Sequence, residues 1–446
     1  MSYRKTTLFT ATLILLTLLP AGVYAEKLRL DLQKSIDLAL KNNPIVLTAR
    51  ENIHKSSAQI RESSASAYPE LDASADYTRI GNNEEVDFGG KSGTLIPDNN
   101  YKLDLTLSQK LYSPKVFEAI KASKSYARGV KADLNIAEEA VVTEVKTAYY
   151  DLLLSQELLT IHEASVEQLR RHLYDIKKRL EAGFATDLDL LRAEVKLANA
   201  MPDLVKARNG IEAARSSLRL AIGLDPDIIL NTDSELTYAP FESTLDNLLD
   251  RAMKNRPELL QIDATIETQE RYAKVEKKEY LPELTMHGNL SYANNDIQLG
   301  EDAEWGYNWN VGMTLDYKIF DGKKRSSRVT KALIDASKAR LEKKRLLNLI
   351  AHEITTTYNS LEEAKTLIAS QGKNIETAER AYEIATISHA GGALTQLELL
   401  DTQLELTEAK VNRSRVVHAF LIARTQLEKA TGMALKGLDS NTNAKE

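Results

Sequence analysis

The chain is written twice, and this repetition restricts its possible folds more than any other feature. DLALKNNP, Asp37 to Pro44, returns as DRAMKNRP, Asp250 to Pro257. Pro69-Glu70-Leu71 returns as Pro282-Glu283-Leu284, Lys110-Leu111-Tyr112 as Lys318-Ile319-Phe320, and Tyr149 as Tyr358. RLEAGFATDLDLLRAEV, from Arg179, answers to SHAGGALTQLELLDTQL, from Ser388, with Gly183, Thr186, Leu188, Leu190 and Leu191 matched by Gly392, Thr395, Leu397, Leu399 and Leu400. The offset stays between 213, at Asp37 and Asp250, and 208, at Lys110 and Lys318. An ordered series at one offset describes two structural repeats, 27–225 and 241–435, joined by a linker at 226–240 that contains Pro226, Asp227, Asn231 and Pro240.

Each repeat reads as helix, hairpin, long helix, turn, helix. From Lys115 to Ala182 there is no proline and a single glycine, Gly129. Apolar residues fall at Val116, Ile120, Ala127, Val130, Leu134, Ala137, Val141, Val145, Ala148 and Leu152, mostly in steps of three and four, the spacing of a coiled-coil seam. At 1.5 Å rise per residue such a helix is roughly 100 Å long. Its counterpart runs from about Lys324 to Ala390. Shorter helices are expected over 35–66, 187–222, 246–279 and 396–431, and two of them end to end match one long helix. Polar outside the seam, these helices need several neighbours to bury it.

Two hairpins interrupt the helices. Leu71, Ala73, Ala75 and Tyr77 alternate with polar residues, as do Tyr101, Leu103, Leu105 and Leu107, which predicts strands at 69–80 and 101–112. Strands are likewise expected at 282–293 and 307–320. Each has about 9–12 residues, enough to cross a bilayer when tilted. Tyr68, Tyr112, Tyr280, Trp305, Tyr307 and Phe320 stand near the strand ends, as interfacial aromatics do. The same alternation also suits a soluble sheet with one wet face. Four strands cannot close a barrel, and an open edge cannot face lipid, so a spanning sheet requires oligomerisation. A dimer supplies eight strands and a trimer twelve, and the sequence itself does not choose.

The N-terminus carries Arg4 and Lys5, an apolar run from Leu8 to Leu19, and Val23-Tyr24-Ala25, which reads as a secretory signal peptide over 1–25. Residues 436–446 read as a disordered tail. There is no cysteine, hence no disulfide and no cysteine-borne lipid anchor. The formal charge of −6 becomes −8 without Arg4 and Lys5, which argues against a nucleic-acid partner.

These residues resemble the TolC-like outer-membrane efflux family. The resemblance covers about Leu30 to Gly432 and rests on the repeated helix–hairpin–helix order, the A-x-K-N-x-P openings at Ala39 and Ala252, and the glycine–threonine turns at Gly183 and Gly392. It implies a mainly α protein with a small β part: a homotrimer that builds a 12-stranded β-barrel in outer-membrane lipid, four strands per protomer, and a long α-helical barrel in the periplasm. It implies docking of a periplasmic adaptor (membrane fusion) protein and an inner-membrane pump, in tripartite efflux or type I secretion. The turns with Gly183, Thr186, Gly392 and Thr395 would form the periplasmic tip and meet the adaptor. Glu398 and Asp401 match the family's acidic ring at the pore constriction, and Asp189 an acidic position that helps hold the entrance shut. The family's cation and tyrosine on the second turn are replaced here by Leu394 and His389, so that salt-bridge lock does not carry over.

No enzyme, cofactor or metal is expected. His352-Glu353 lacks the second histidine of a zinc-protease helix, and no Gly-x-Ser-x-Gly elbow occurs. The expected function is a passive outer-membrane exit duct. The alternative is a periplasmic coiled-coil scaffold or adaptor.

Overall fold

The computed structural model describes residues 27–81, 85–87, 89–90, 92–94, 98–294 and 305–435. The expected signal segment 1–25, the expected tail 436–446 and parts of both hairpin loops lie outside the described residues. The first repeat contains β1 (Lys27–Arg29), α1 (Leu32–Asn42), α2 (Pro44–Ala65), β2 (Glu70–Arg79), β3 (Glu85–Asp87), β4 (Ser92–Thr94), β5 (Asn99–Tyr112), α3 (Pro114–Glu181) and α4 (Asp187–Ile222). The connection carries β6 (Ile229–Asn231). The second repeat contains α5 (Leu245–Asn255), α6 (Pro257–Lys278), β7 (Glu283–Ala293), β8 (Gly306–Asp316), α7 (Lys324–Ala390) and α8 (Gln396–Ala430).

The long helices α3 and α7 have 68 and 67 residues, each roughly 100 Å long. Along α3, α2 and α4 pack in succession, and α6 and α8 of the other repeat join them; α7 is flanked by α6 and α8. Buried positions on α3 step 122, 125, 129, 132 through Ala122, Ser125, Gly129 and Ala132, then 141, 145, 148, 152 through Val141, Val145, Ala148 and Leu152. The first run is small-sided because α3 lies close to α6 there: a Cβ at Gly129 would sit 3.4 Å from Ala264 Cβ. The second run enters a core of Ile36, Val46, Tyr149, Leu218 and Ile222. The second repeat builds its own core from Leu248, Ile350, Ile354, Leu361, Phe420 and Leu427.

Three expectations are corrected. The segments 35–66 and 246–279 are each two helices, broken before Pro44 and Pro257. A proline disfavours the α conformation in the residue before it, and Asn43 (ψ 127°) and Arg256 (ψ 118°) are extended, with the proline opening the next helix. The linker contains β6, which pairs in parallel with β1 through Leu28 and Leu230 and so stitches the connection to the start of the first repeat. The fourth long strand stops at Asp316, leaving Tyr317 to Phe320 outside the ladder.

The four long strands form one antiparallel sheet in the order β2-β5-β7-β8. Its two edges, β2 and β8, have no partner strand within the described residues.

Candidate channel wall and entrance

Register assigns every side chain of the sheet to a face. Leu71, Ala73 and Ala75 on β2 stand opposite Leu107, Leu105 and Leu103 on β5. Leu105 and Leu103 face Leu290 and Tyr292 on β7, and these face Trp309 and Tyr307 on β8. Val311, Met313 and Leu315 continue the face. The other face carries Asp72, Asp76, Lys102, Asp104, Thr106, Asn289, Ser291, Asn308 and Asn310.

On the inner strand β5 exposure is the reverse of what a water-soluble sheet requires, while the edge strands β2 and β8 are exposed on both faces. On β5 the apolar Leu103 and Leu105 are 49% and 41% exposed, whereas Lys102, Asp104 and Thr106 between them are partly buried. Trp309, Val311 and Leu315 are 72%, 69% and 65% exposed. The polar face satisfies itself: Lys102 Nζ lies 2.8 Å from Asp104, and Asn289 donates to Thr106 Oγ1 at 3.0 Å. An apolar outside on a polar inside is the arrangement of a membrane barrel wall.

Aromatic residues mark both ends of that wall. Tyr68, Tyr112, Tyr280 and Phe320 are exposed at the end where the chain passes into helices. At the loop end Trp305 and Tyr307 flank Tyr292, with ring centroids 4.9 and 4.7 Å away, and Tyr101 extends the row to Tyr77. The eleven steps from Tyr101 to Tyr112 span about 36 Å of strand, or about 25 Å of height when tilted near 45°, the thickness of an outer-membrane apolar band. In the sequence Tyr77, Tyr101 and Tyr292 are only positions within strands; their row emerges from cross-strand register.

At the far end of the helices the two turns share one construction. Gly183 and Gly392 take the left-handed conformation, φ 79° and 77°, which ends α3 and α7. Thr186 and Thr395 open the next helices with reciprocal capping boxes. Asp189 Oδ2 accepts from the Thr186 hydroxyl at 2.7 Å and its N–H at 3.0 Å. Glu398 Oε2 accepts from the Thr395 hydroxyl at 2.7 Å and its N–H at 2.9 Å. These threonine donors, the hydroxyl first, hold both carboxyls below their ordinary range. Asp401 is partnered differently, with Lys196 Nζ on α4 at 3.0 Å. Glu398 and Asp401 therefore lie one turn apart, one turned back to its cap and the other across to α4.

The two turns are also joined. Gln396 Nε2 donates to the Asp189 carbonyl at 3.0 Å, and the rings of His172 and His389 lie 6.2 Å apart. Gln396, His172 and Lys196 carried no sequence signal, because contacts between repeats are not written in the periodicity of either one.

A family model described as outer membrane efflux protein matches residues 35–224 and 248–433. The chain belongs to that family. The two matched stretches fall on the two repeats. The outer membrane protein TolC of Vibrio cholerae is 20% identical over 93% of this chain and 92% of its own length. The cobalt-zinc-cadmium resistance protein CzcC of Cupriavidus metallidurans is 22% identical over 90% of each chain. Among solved structures, the CmeC outer membrane channel of Campylobacter jejuni superimposes with a TM-score of 0.77 at 19% identity, covering 90% of this chain and 86% of that one. The open-state MtrE outer membrane channel of Neisseria gonorrhoeae gives 0.72 at 17% identity, covering 91% and 89%. Family membership makes this an outer-membrane efflux protein and not an enzyme, and an exposed apolar sheet is what that location needs. The scaffold alternative leaves the sheet unexplained.

Proposed function

We propose that three copies of this chain assemble into a passive duct that conducts substrates from the periplasm to the exterior. The observation that carries this reading is the inverted sheet: its outside is apolar and exposed, its inside polar, and neither edge has a partner strand among the described residues. Edges cannot face hydrocarbon, so β2 of one copy must pair with β8 of the next. Twelve strands leave a lumen, whereas eight fill theirs with side chains.

In the trimer the helices would continue the wall into the periplasm, with the Gly183 and Gly392 turns as its entrance. There a periplasmic adaptor and an inner-membrane pump would engage it, in tripartite efflux or type I secretion. The duct holds no energy source, so the pump must supply the work. Asp189, Glu398 and Asp401, in three copies, would place nine carboxylates near the entrance axis, where they favour cations and repel anions.

Electron microscopy of the detergent-extracted particle tests this directly. The expected side view is a three-fold hollow tube well over 100 Å long with a short barrel at one end. A solid rod, or a particle without three-fold symmetry, would overturn the duct.

A further inference from the structure

The junction of the two turns contains a histidine pair that the channel wall does not need. His172 on α3 and His389 on α7 place ring centroids 6.2 Å apart, one from each repeat. His389 is oriented: its Nδ1–H donates to the Leu394 carbonyl at 3.1 Å, across its own turn. A carbonyl only accepts, so the proton sits on Nδ1 and the ring is tied to the backbone of its own turn. His172 Nε2 is buried and has no hydrogen-bond partner, as is Oε1 of Gln396, whose amide makes the hydrogen bond that joins the turns. Buried polar atoms without partners mark a contact that is easily given up.

We propose that the contact between His172 and His389 forms a proton-operated latch between the two helical hairpins, closed while His172 is neutral and released when it takes up a proton. The proposal rests on the reading of these turns as the periplasmic entrance.

The surroundings set the sign. Burial first, then the His389 ring and Arg179, disfavour a proton on His172, and Asp175 alone opposes them. Asp189, already held by Thr186, stands near His389, and Arg192 stands near Asp189. The latched state thus holds His172 below its ordinary value of 6.5. A group with a depressed basic pKa stabilises the latched form above that value and loses the contribution as pH falls below it. Each unit of depression shifts the closed–open balance about tenfold toward open in acid. The carboxyls of Asp189 and Glu398, held below their ordinary range, stay ionised throughout this window, so the change falls on His172.

The chain contains no cysteine, so Leu188→Cys with Leu397→Cys gives two unique label positions, on the two turns. Nitroxides there, followed by pulsed EPR on the purified trimer diluted with unlabelled copies, read hairpin separation without needing a channel. The expected result is a longer distance at about pH 5 than at about pH 7.5, lost in His172→Gln and in His389→Gln. Planar-bilayer conductance should rise severalfold over the same interval and likewise lose its pH dependence in the variants. Identical distances at both pH values, or an equal change in both variants, would overturn the latch. A distance change without conductance at any pH would support the latch and sink the duct.

Discussion

The side-chain amide of Asn43 donates to the carbonyl of Ala221 at 2.8 Å, across 178 residues. Arg256, its counterpart in the second repeat, donates to the carbonyl of Ala430 at 3.0 Å. In each repeat the residue before the helix-breaking proline thus caps the last turn of that repeat's closing helix, whose carbonyls have no partners within the helix. The two solutions differ in chemistry. Asn43 also accepts from the N–H of Ile45 at 2.8 Å, whereas Arg256 spends its guanidinium on Glu353 and Glu258. Asn43→Ala should destabilise the fold by about 2–3 kcal/mol, one buried hydrogen bond plus one helix cap. Asn43→Asp keeps the acceptor for the Ile45 N–H but sets a buried carboxylate oxygen against the Ala221 carbonyl, so its cost should be at least as large. Thermal unfolding of the detergent-purified protein checks the order.

The glycines that follow those capped turns are tightly enclosed. A Cβ at Gly432 would lie 2.7 Å from the Asn255 carbonyl carbon, and one at Gly223 2.9 Å from the Asn42 oxygen. Both obstacles are backbone. Gly432→Ala should cost about 3 kcal/mol or more, from overpacking together with left-handed strain. Gly183→Ala, with nothing within 4 Å of its Cβ, should cost only the strain, about 1–2 kcal/mol. Equal losses in the two variants would contradict this packing.

Much of this arrangement was legible because repetition marked it. The matched turns located both hairpin ends, and unbroken stretches without proline gave α3 and α7 nearly to the residue. The break at Asn43 was missed because helical periodicity continues across Pro44 and hides it. β6 was missed because three residues carry no alternation; only pairing with β1 makes them a strand. At the two turns, sequence located the capping threonines and the acidic residues beside them. It could not show that Asp401 meets Lys196, or that His172 meets His389, because each pair joins helices from different repeats.

The two faces of the sheet make a parity prediction. Trp309 and Asn308 are neighbours on β8, one on the apolar face opposite Leu290 and the other on the polar face opposite Ser291. Trp309→Arg should cost about 2–4 kcal/mol near mid-membrane and reduce heat-modifiable trimer in outer-membrane fractions. Asn308→Arg should leave the trimer level unchanged and alter conductance instead. Equal tolerance of both substitutions would mean the sheet does not meet lipid.

Burial pushes the Tyr150 hydroxyl up to about 12, with the negative charge of Glu428 adding to it. The folded state thus favours the neutral phenol more than the unfolded chain does. That contribution is complete below the ordinary value of 10.0 and is lost as pH rises through about 12. Two units correspond to about 2–3 kcal/mol. Stability measured by denaturant should fall between pH 10 and 12, and Tyr150→Phe should flatten part of that fall. An unchanged alkaline profile in the variant would assign the loss to other groups.

The acidic residues of the turns combine a charge with a local contact, and substitution can separate the two. Glu398 caps α8 through its carboxylate oxygen, so Glu398→Ala removes both a charge and a helix cap. Glu398→Gln keeps an acceptor for the Thr395 donors and removes only the charge. Asp401→Asn weakens the tie to Lys196 and also removes a charge. If these carboxylates line the constriction, the double variant Glu398→Gln with Asp401→Asn should raise single-channel conductance, reduce cation preference and weaken block by divalent cations, with little change in thermal stability. Because Thr395 holds Glu398 below the ordinary carboxylate range, the native cation preference should also persist as pH falls through 4.5, the value at which a free glutamate is half protonated. Conductance and selectivity identical to the parent channel would leave these residues with capping and pairing alone, and would move the constriction to another layer of the tube.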